Sequence, residues 1–225
     1  MVGADGGIGG ACAERLRAGG WAVHAVDRGA GIDVAVARGA EEAVAAGTAA
    51  LGGLDAIVHA VGMSGRRLGD GPVTTCTDEA WSEVLRVNLE SAFRLLRCGL
   101  PALRPTGGAF VAVGSALAHS TDDDFLTAAY AASKAGLVAL ARVAAREVAA
   151  DGVRVNVVAA GLTRTPMAGR ATTDPHVLGR MGDLQPLGGP LDPEDVAGAV
   201  AWLVSDEARR VTGIALPVDA GWSLR

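Results

Sequence analysis

The chain has 225 residues, 50% of them hydrophobic and 20% charged, with a net charge of −5. A chain this long and apolar buries a sizeable core, which excludes disorder, and one domain over 1–225 is expected. No apolar run reaches the roughly 18 residues of a membrane span, no basic segment leading into an apolar run marks a signal peptide, and no arginine-dense face with interleaved aromatics marks a nucleic-acid binder.

Met1-Val2 leads straight into Gly3-Ala4-Asp5-Gly6-Gly7-Ile8-Gly9-Gly10. Such a turn lets backbone N–H groups approach a pyrophosphate at a helix N-terminus, although a mobile surface loop has the same composition. Residues 11–19 read as a helix ended by Gly19-Gly20. Residues 21–26 read as a strand closed by Asp27. A carboxylate there accepts hydrogen bonds from ribose hydroxyls and repels a 2′-phosphate. Asp27, with Asp5 in the glycine loop, therefore favours NAD over NADP, while the neighbouring Arg28 softens that preference. Further helices are expected over 34–51, over 78–103 with Thr77 as cap, over 126–150, and from Asp192-Pro193-Glu194-Asp195 to Ser205. Further strands are expected over 54–60, 109–113, 153–159 and 214–218. Residues 161–190, rich in Gly, Pro and Thr, read as a long loop with short helical pieces. This alternation is the pattern of a parallel sheet covered on both faces.

Three cysteines (Cys12, Cys76, Cys98) without C-x-x-C spacing suit neither a disulfide framework nor a zinc site, and fit a reducing cytoplasm. The basic residues are all arginine except Lys134, and Tyr130 is the only tyrosine. Four residues apart on a helix, the two share a face. An ammonium beside a phenol favours the phenolate and brings it closer to working pH as an acid or base. A surface Tyr and Lys on an amphipathic helix is the competing reading.

Taken together, these segments resemble the short-chain dehydrogenase/reductase family in its compact single-domain branch. The resemblance is carried by Gly3-x-x-x-Gly7-Ile8-Gly9, Asp33-Val34, Asn88 within Val87-Asn88-Leu89, Ser115, Tyr130-x-x-x-Lys134, Asp192-Pro193-Glu194-Asp195-Val196-Ala197, and Val211-Thr212-Gly213 before Val218-Asp219. It implies a Rossmann-like doubly wound α/β fold with a seven-stranded parallel sheet in the order 3-2-1-4-5-6-7. It also implies reversible hydride transfer between NAD(P) and a small-molecule alcohol or carbonyl. In that scheme Tyr130 moves the hydroxyl proton and Ser115 hydrogen-bonds the reacting oxygen. Lys134 holds the nicotinamide ribose and lowers the Tyr130 pKa, and Asn88 positions a water that links Lys134 to solvent. Gly3, Gly7, Ile8, Gly9, Asp27, Asp33, Val34, Ala60, Val61, Gly62, Gly161, Thr163 and Thr165 complete the cofactor site. Homo-oligomers, tetramers or dimers, built on the two long helices are also implied.

The chain departs from the family pattern at several places. Only two residues precede the glycine motif, so the first strand is expected to be truncated and the natural start to lie upstream. The usual Asn-Asn-Ala-Gly reads His59-Ala60-Val61-Gly62. His59 either replaces one lost contact or is a plain strand-end histidine. Too few residues separate Asp27 from Asp33 for the helix normally found there. Extra residues fall in His119-Ser120-Thr121-Asp122-Asp123-Asp124-Phe125. The three aspartates read as a solvated loop rather than a metal site, and His119 and His176 as loop residues. Trp21, Trp81 and Trp202 read as packing, and Trp222 as a contact to substrate or to a neighbouring subunit. Met63, Ser64 and Met167 are candidate pocket residues. The expected activity is NAD-dependent oxidation or reduction of a secondary alcohol or ketone. An NADPH-dependent 3-oxoacyl thioester reductase and a non-catalytic cofactor-binding scaffold are the alternatives.

Overall fold

A computed structural model describes residues 1–224. Four parallel strands lie in chain order across one sheet: β1 (Ala56–His59), β2 (Ala109–Ser115), β3 (Arg154–Ala160) and β4 (Ala215–Val218). Val2 extends the sheet beyond β1 by a single bridge to His59, and bridges Val26 on its other side. Its N–H donates to Val58 O and its carbonyl accepts from Ala60 N, both at 2.9 Å. The order Val26, Val2, β1, β2, β3, β4 agrees with the expected order without its outermost strand. Seven full strands are not present among the described residues.

One expectation is overturned at this edge, the strand over 21–26, and one, the missing helix between Asp27 and Asp33, agrees with the structure. Residues 21–25 form no strand, because Val26 is the only residue of that stretch bridged to Val2. Strands gain most of their stability from neighbours, so an apolar run with one paired residue stays irregular. Asp27 then leads into a short turn, Arg28–Ala30, and directly to Asp33.

Helices α1 (Gly7–Ala18) and α9 (Pro193–Val204) cover one face, and α2 (Ala37–Leu51), α4 (Ser91–Leu103) and α5 (Ala128–Val148) the other. Period-2 alternation along the strands feeds both cores. Phe110, Ala112, Val155 and Val157 pack with Leu95 of α4 and Leu137 of α5. Ala109, Val111, Val158 and Ala160 pack with Leu16 of α1 and Val200 of α9. This is the doubly wound, Rossmann-like α/β arrangement.

The expected helix over 78–103 is divided. Its first part, α3 (Asp78–Leu85), begins at Thr77, whose Oγ1 accepts from Ala80 N at 3.1 Å as expected. A π-turn over Arg86–Glu90 separates it from α4. Residues 161–190 carry a 3-10 turn over Pro166–Ala168 and the short helices α6 (Gly169–Thr173), α7 (Pro175–Gly179) and α8 (Met181–Leu184), as expected. Trp81 and Trp202 are 45% and 37% exposed, so neither is core, whereas Trp21 packs partly against the α1–α9 core.

Candidate active site

The carboxyl ends of the strands open onto a cleft of about 370 Å³, the place where open α/β sheets bind ligands. One end is built by the glycine loop. Gly3 adopts φ +84° and lies so close to Ala60 that a Cβ would fall 2.8 Å from its carbonyl carbon. At Gly9 a Cβ would fall 1.8 Å from Gly3 O, so only glycine lets α1 start against the loop. The first-turn N–H groups of α1 have no carbonyl one turn back, and no side chain caps that end. Gly7, Ile8 and Gly9 all line the cleft. Backbone donors and a helix N-terminus without competing side chains fit the pyrophosphate of a dinucleotide.

Of the other expected cofactor residues, Ala60, Val61, Gly62, Gly161, Thr163 and Thr165 also line the cleft. Gly62 leaves room where a Cβ would meet Lys134 Nζ at 3.4 Å and Asn88 Oδ1 at 3.5 Å. Asp27 is not part of the lining, but its Oδ2 accepts the Asp5 N–H at 3.1 Å and so pins the glycine loop. Asp33 and Val34 are not in the lining either. Asp33 Oδ1 accepts from Ala35 N at 2.8 Å, and Val34 is buried in the core with Val2 and Val26.

Ser115, Tyr130 and Lys134 meet at the middle of the cleft. Ser115 ends β2, and its Oγ accepts the Leu117 N–H at 3.2 Å, which leaves its own proton to donate. It hydrogen-bonds the Tyr130 phenol, and this contact favours the phenolate. Lys134 is buried and donates from Nζ to Val113 O at 3.0 Å. Its ammonium stands 5.8 Å from the centre of the Tyr130 ring, over the face. The expected lowering of the phenol pKa does not appear. Burial pushes Tyr130 above its ordinary value, and the Ser115 hydrogen bond opposes this only in part. The cause is the desolvation of the buried phenol, and the Lys134 ammonium, hydrogen-bonded to the β2 carbonyl of Val113, does not offset it. Burial also lowers Lys134 to about 8.

Asn88 sits inside the π-turn, fully buried and outside the cleft lining. Its Oδ1 accepts from Met63 N at 2.8 Å, and its Nδ2 donates to Met63 O and Ser133 Oγ, both at 3.0 Å. The amide therefore fixes the segment after β1 that lines the cleft. His59 is fully buried, with Nε2 2.9 Å from Ser91 Oγ. Ser91 donates its own proton to Val87 O, so Nε2 carries the imidazole hydrogen. Nδ1 has no hydrogen-bond partner among the described residues. Burial first, and the Lys134 charge second, lower His59 to about 3.

The other end of the cleft is apolar. Trp222 lines it, buried, with Phe125 set edge-on at 5.0 Å. Ser64 and Met167 line it as well, but Met63 does not. Of the three aspartates, Asp123 is solvent-exposed as expected, whereas Asp122 and Asp124 are half-buried and paired. Asp122 accepts from Asp124 N at 3.0 Å, and Arg180 pairs with both Asp122 and Asp124. His176 Nε2 lies 3.4 Å from Asp124. No group of metal-ligating side chains occurs among the described residues.

Sequence reasoning missed Asp70. Its carboxylate is buried and accepts from the N–H groups of Ala129 and Tyr130, each at 3.0 Å. The sequence carries no signal for it, and the structure shows why the carboxylate is needed: Thr127, ahead of α5, supplies no side-chain cap.

A parallel doubly wound sheet, a glycine loop under a helix N-terminus and a Ser-Tyr-Lys cluster in one cleft define a dinucleotide-dependent oxidoreductase. The family profile described as "Enoyl-(Acyl carrier protein) reductase" matches residues 30–223. The 2,5-dichloro-2,5-cyclohexadiene-1,4-diol dehydrogenase of Sphingobium indicum is 32% identical over 86% of this chain and 74% of its own. The 3-oxoacyl-[acyl-carrier-protein] reductase of Escherichia coli is 36% identical over 77% of this chain and 68% of its own. The crystal structure of 3-ketoacyl-(acyl-carrier-protein) reductase from Brucella melitensis complexed with NADH superposes with a TM-score of 0.86 at 27% identity, covering 99% of this chain and 96% of that one. The chain belongs to the short-chain dehydrogenase/reductase family. It is an oxidoreductase acting on CH–OH or keto groups of small molecules. None of its helices is long and apolar enough to cross a membrane among the described residues.

Proposed function

We propose that the chain is one domain that interconverts a secondary alcohol and a ketone with NAD(H), using Tyr130 as acid and base. The observation that carries this reading is the meeting of Ser115, Tyr130 and Lys134 between the glycine loop and the apolar end of one cleft. A bound nicotinamide dinucleotide would supply or accept the hydride. Gly7, Ile8 and Gly9 would hold its pyrophosphate, and Thr163, Thr165 and the Ala60–Gly62 segment its nicotinamide half.

The protein's own part is proton handling and orientation. Tyr130 takes the hydroxyl proton in oxidation and returns it in reduction. Ser115 donates a hydrogen bond to the reacting oxygen. Buried Lys134 supplies fixed positive charge beside the phenol, and Asn88 keeps the floor of the cleft in place through Met63.

NAD is favoured over NADP because Asp27 lies at the end of the adenosine-side segment and Asp5 occupies the glycine loop. A 2′-phosphate would meet two carboxylates there. The NADH bound to the similar Brucella melitensis reductase supports the same choice. The likeness to 3-oxoacyl reductases favours a second reading, reduction of a thioester-linked ketone. Thermal-shift titration with NAD, NADH, NADP and NADPH tests the assignment, since a ligand that binds only the folded state raises its midpoint. A shift with the unphosphorylated pair supports the first reading. A shift with the phosphorylated pair alone supports the second, and no shift with any of the four refutes both.

Cytoplasmic residence agrees with three free cysteines. Assembly as a homotetramer agrees with Trp81, Phe93 and Val143 exposed on α3, α4 and α5. Light scattering on the purified chain checks the assembly.

A further inference from the structure

Outside the reacting residues, two arginines from distant segments converge on the cleft. Arg66 lies in the turn Arg66–Leu68 after β1, and Arg170 in α6, and both line the cleft. Both belong to the apolar end. Arg66 Nη2 donates to Asp124 O at 3.0 Å, next to Phe125. Arg170 precedes Ala171, which packs with Trp222.

The two charges are poorly compensated. Arg66 forms no ion pair among the described residues, and the carboxylate near Arg170 is Asp174, 3.8 Å away. Burial, then the charge of Arg170, lower the Arg66 pKa, while Asp70 raises it. Arg180 makes the contrast, because Asp122 and Asp124 both neutralise it. Each guanidinium is a planar fork of donors that matches a carboxylate or phosphate. Two such forks, both solvent-exposed and both lining the cleft, are arranged for an anion.

We propose that Arg66 and Arg170 form an anion subsite, so that the substrate is a secondary alcohol or ketone with a carboxylate or phosphate joined to its reacting carbon through an apolar stretch. This rests on the reading that the apolar end of the cleft takes the substrate.

The test uses methyl ketones with a terminal carboxylate at increasing chain length against their methyl esters. Methyl ketones carrying a terminal phosphate monoester at the same chain lengths, against the corresponding terminal alcohols, are the phosphate arm. With NADH, the best anion is expected to exceed its neutral partner at least tenfold in kcat/KM, mainly through KM. In the variant carrying both Arg66→Gln and Arg170→Gln that ratio falls to near one, and calorimetry shows the anion binding at least tenfold more weakly. Arg67→Gln, beside the site but outside its lining, is expected to leave the ratio unchanged.

The arm that shows the preference identifies the head group. Neutral compounds that match the anions at every length, or a preference that survives in the double variant, overturn the subsite. So does a protein that binds NADH, by tryptophan fluorescence, yet neither binds nor reduces any of the anions. Failure to bind NADH instead strikes the underlying oxidoreductase reading.

Discussion

The N–H of Tyr130 donates to Oδ2 of Asp70, 60 residues upstream, at 3.0 Å, and the neighbouring Ala129 N–H donates to Oδ1 of the same carboxylate. Asp70 thus caps α5 from a separate loop and sets the height of the helix that carries the phenol. Asp70→Ala leaves two donors without a partner and is expected to cost about 1–3 kcal/mol of stability. Because Asp70 positions Tyr130 without touching substrate, kcat should fall several-fold while KM holds. Asp70→Asn keeps one acceptor and should recover part of kcat. Steady-state kinetics with urea denaturation read both effects, and an unchanged kcat in Asp70→Ala would leave Asp70 with a purely structural role.

Tyr130→Phe removes the proton carrier and keeps the ring beneath the Lys134 ammonium. Turnover should drop by roughly 10²–10⁴, with NADH affinity intact. Ser115→Ala should lose roughly 10²–10³ in kcat. Fluorescence titration of cofactor beside initial rates separates binding from chemistry.

His59 predicts an acid limb in stability. Its folded value of about 3 lies below the ordinary 6.5. Between these two pH values the unfolded chain binds the extra proton, so stability falls as pH drops through that window. The slope approaches about 1.4 kcal/mol per pH unit. His59→Asn should flatten it, as urea midpoints from pH 7 to 4 will record.

Lys134 acts at the other end of the scale. Its folded value of about 8 lies below the ordinary 10.5, so the folded state gives up its proton first and stability rises with pH between the two. Lys134→Met removes this dependence. The stability of wild type relative to the variant should therefore improve between pH 8 and 10.5, by at most about 3 kcal/mol. A constant difference across that range would contradict burial of the charged form.

Asp27→Ala should raise the NADP-to-NAD ratio of kcat/KM about tenfold or more, by removing the carboxylate opposed to a 2′-phosphate. The variant also frees the Asp5 N–H, so loop mobility should be compared by hydrogen exchange.

The residues legible in the sequence were those whose chemistry depends on local spacing. Tyr130 and Lys134 are joined by a helical period, and Gly3, Gly7 and Gly9 by a turn that admits no side chain. The residues that were not legible depend on partners brought from afar. Asp70 meets the α5 N–H groups from about 60 residues away, and nothing in its own segment marks that contact. Residues 21–26 have strand composition, but strand formation needs a paired neighbour. The Tyr130 phenol shifts opposite to expectation because it is buried, and burial depends on segments far along the chain that a four-residue spacing does not show. Likewise, the apolar pattern over 78–103 runs on through the π-turn.

That π-turn is in effect one surplus residue within a helix. One residue rotates everything beyond it by about 100°. The rod before it packs against α5, and the rod after it against α2. The surplus residue is thus a phase adjuster: it turns the second rod so that, while still touching α5, it also packs against α2. Deleting a residue within Arg86–Glu90 would put the two halves back in phase and turn the second away from α2, with Asn88 swung away from Met63.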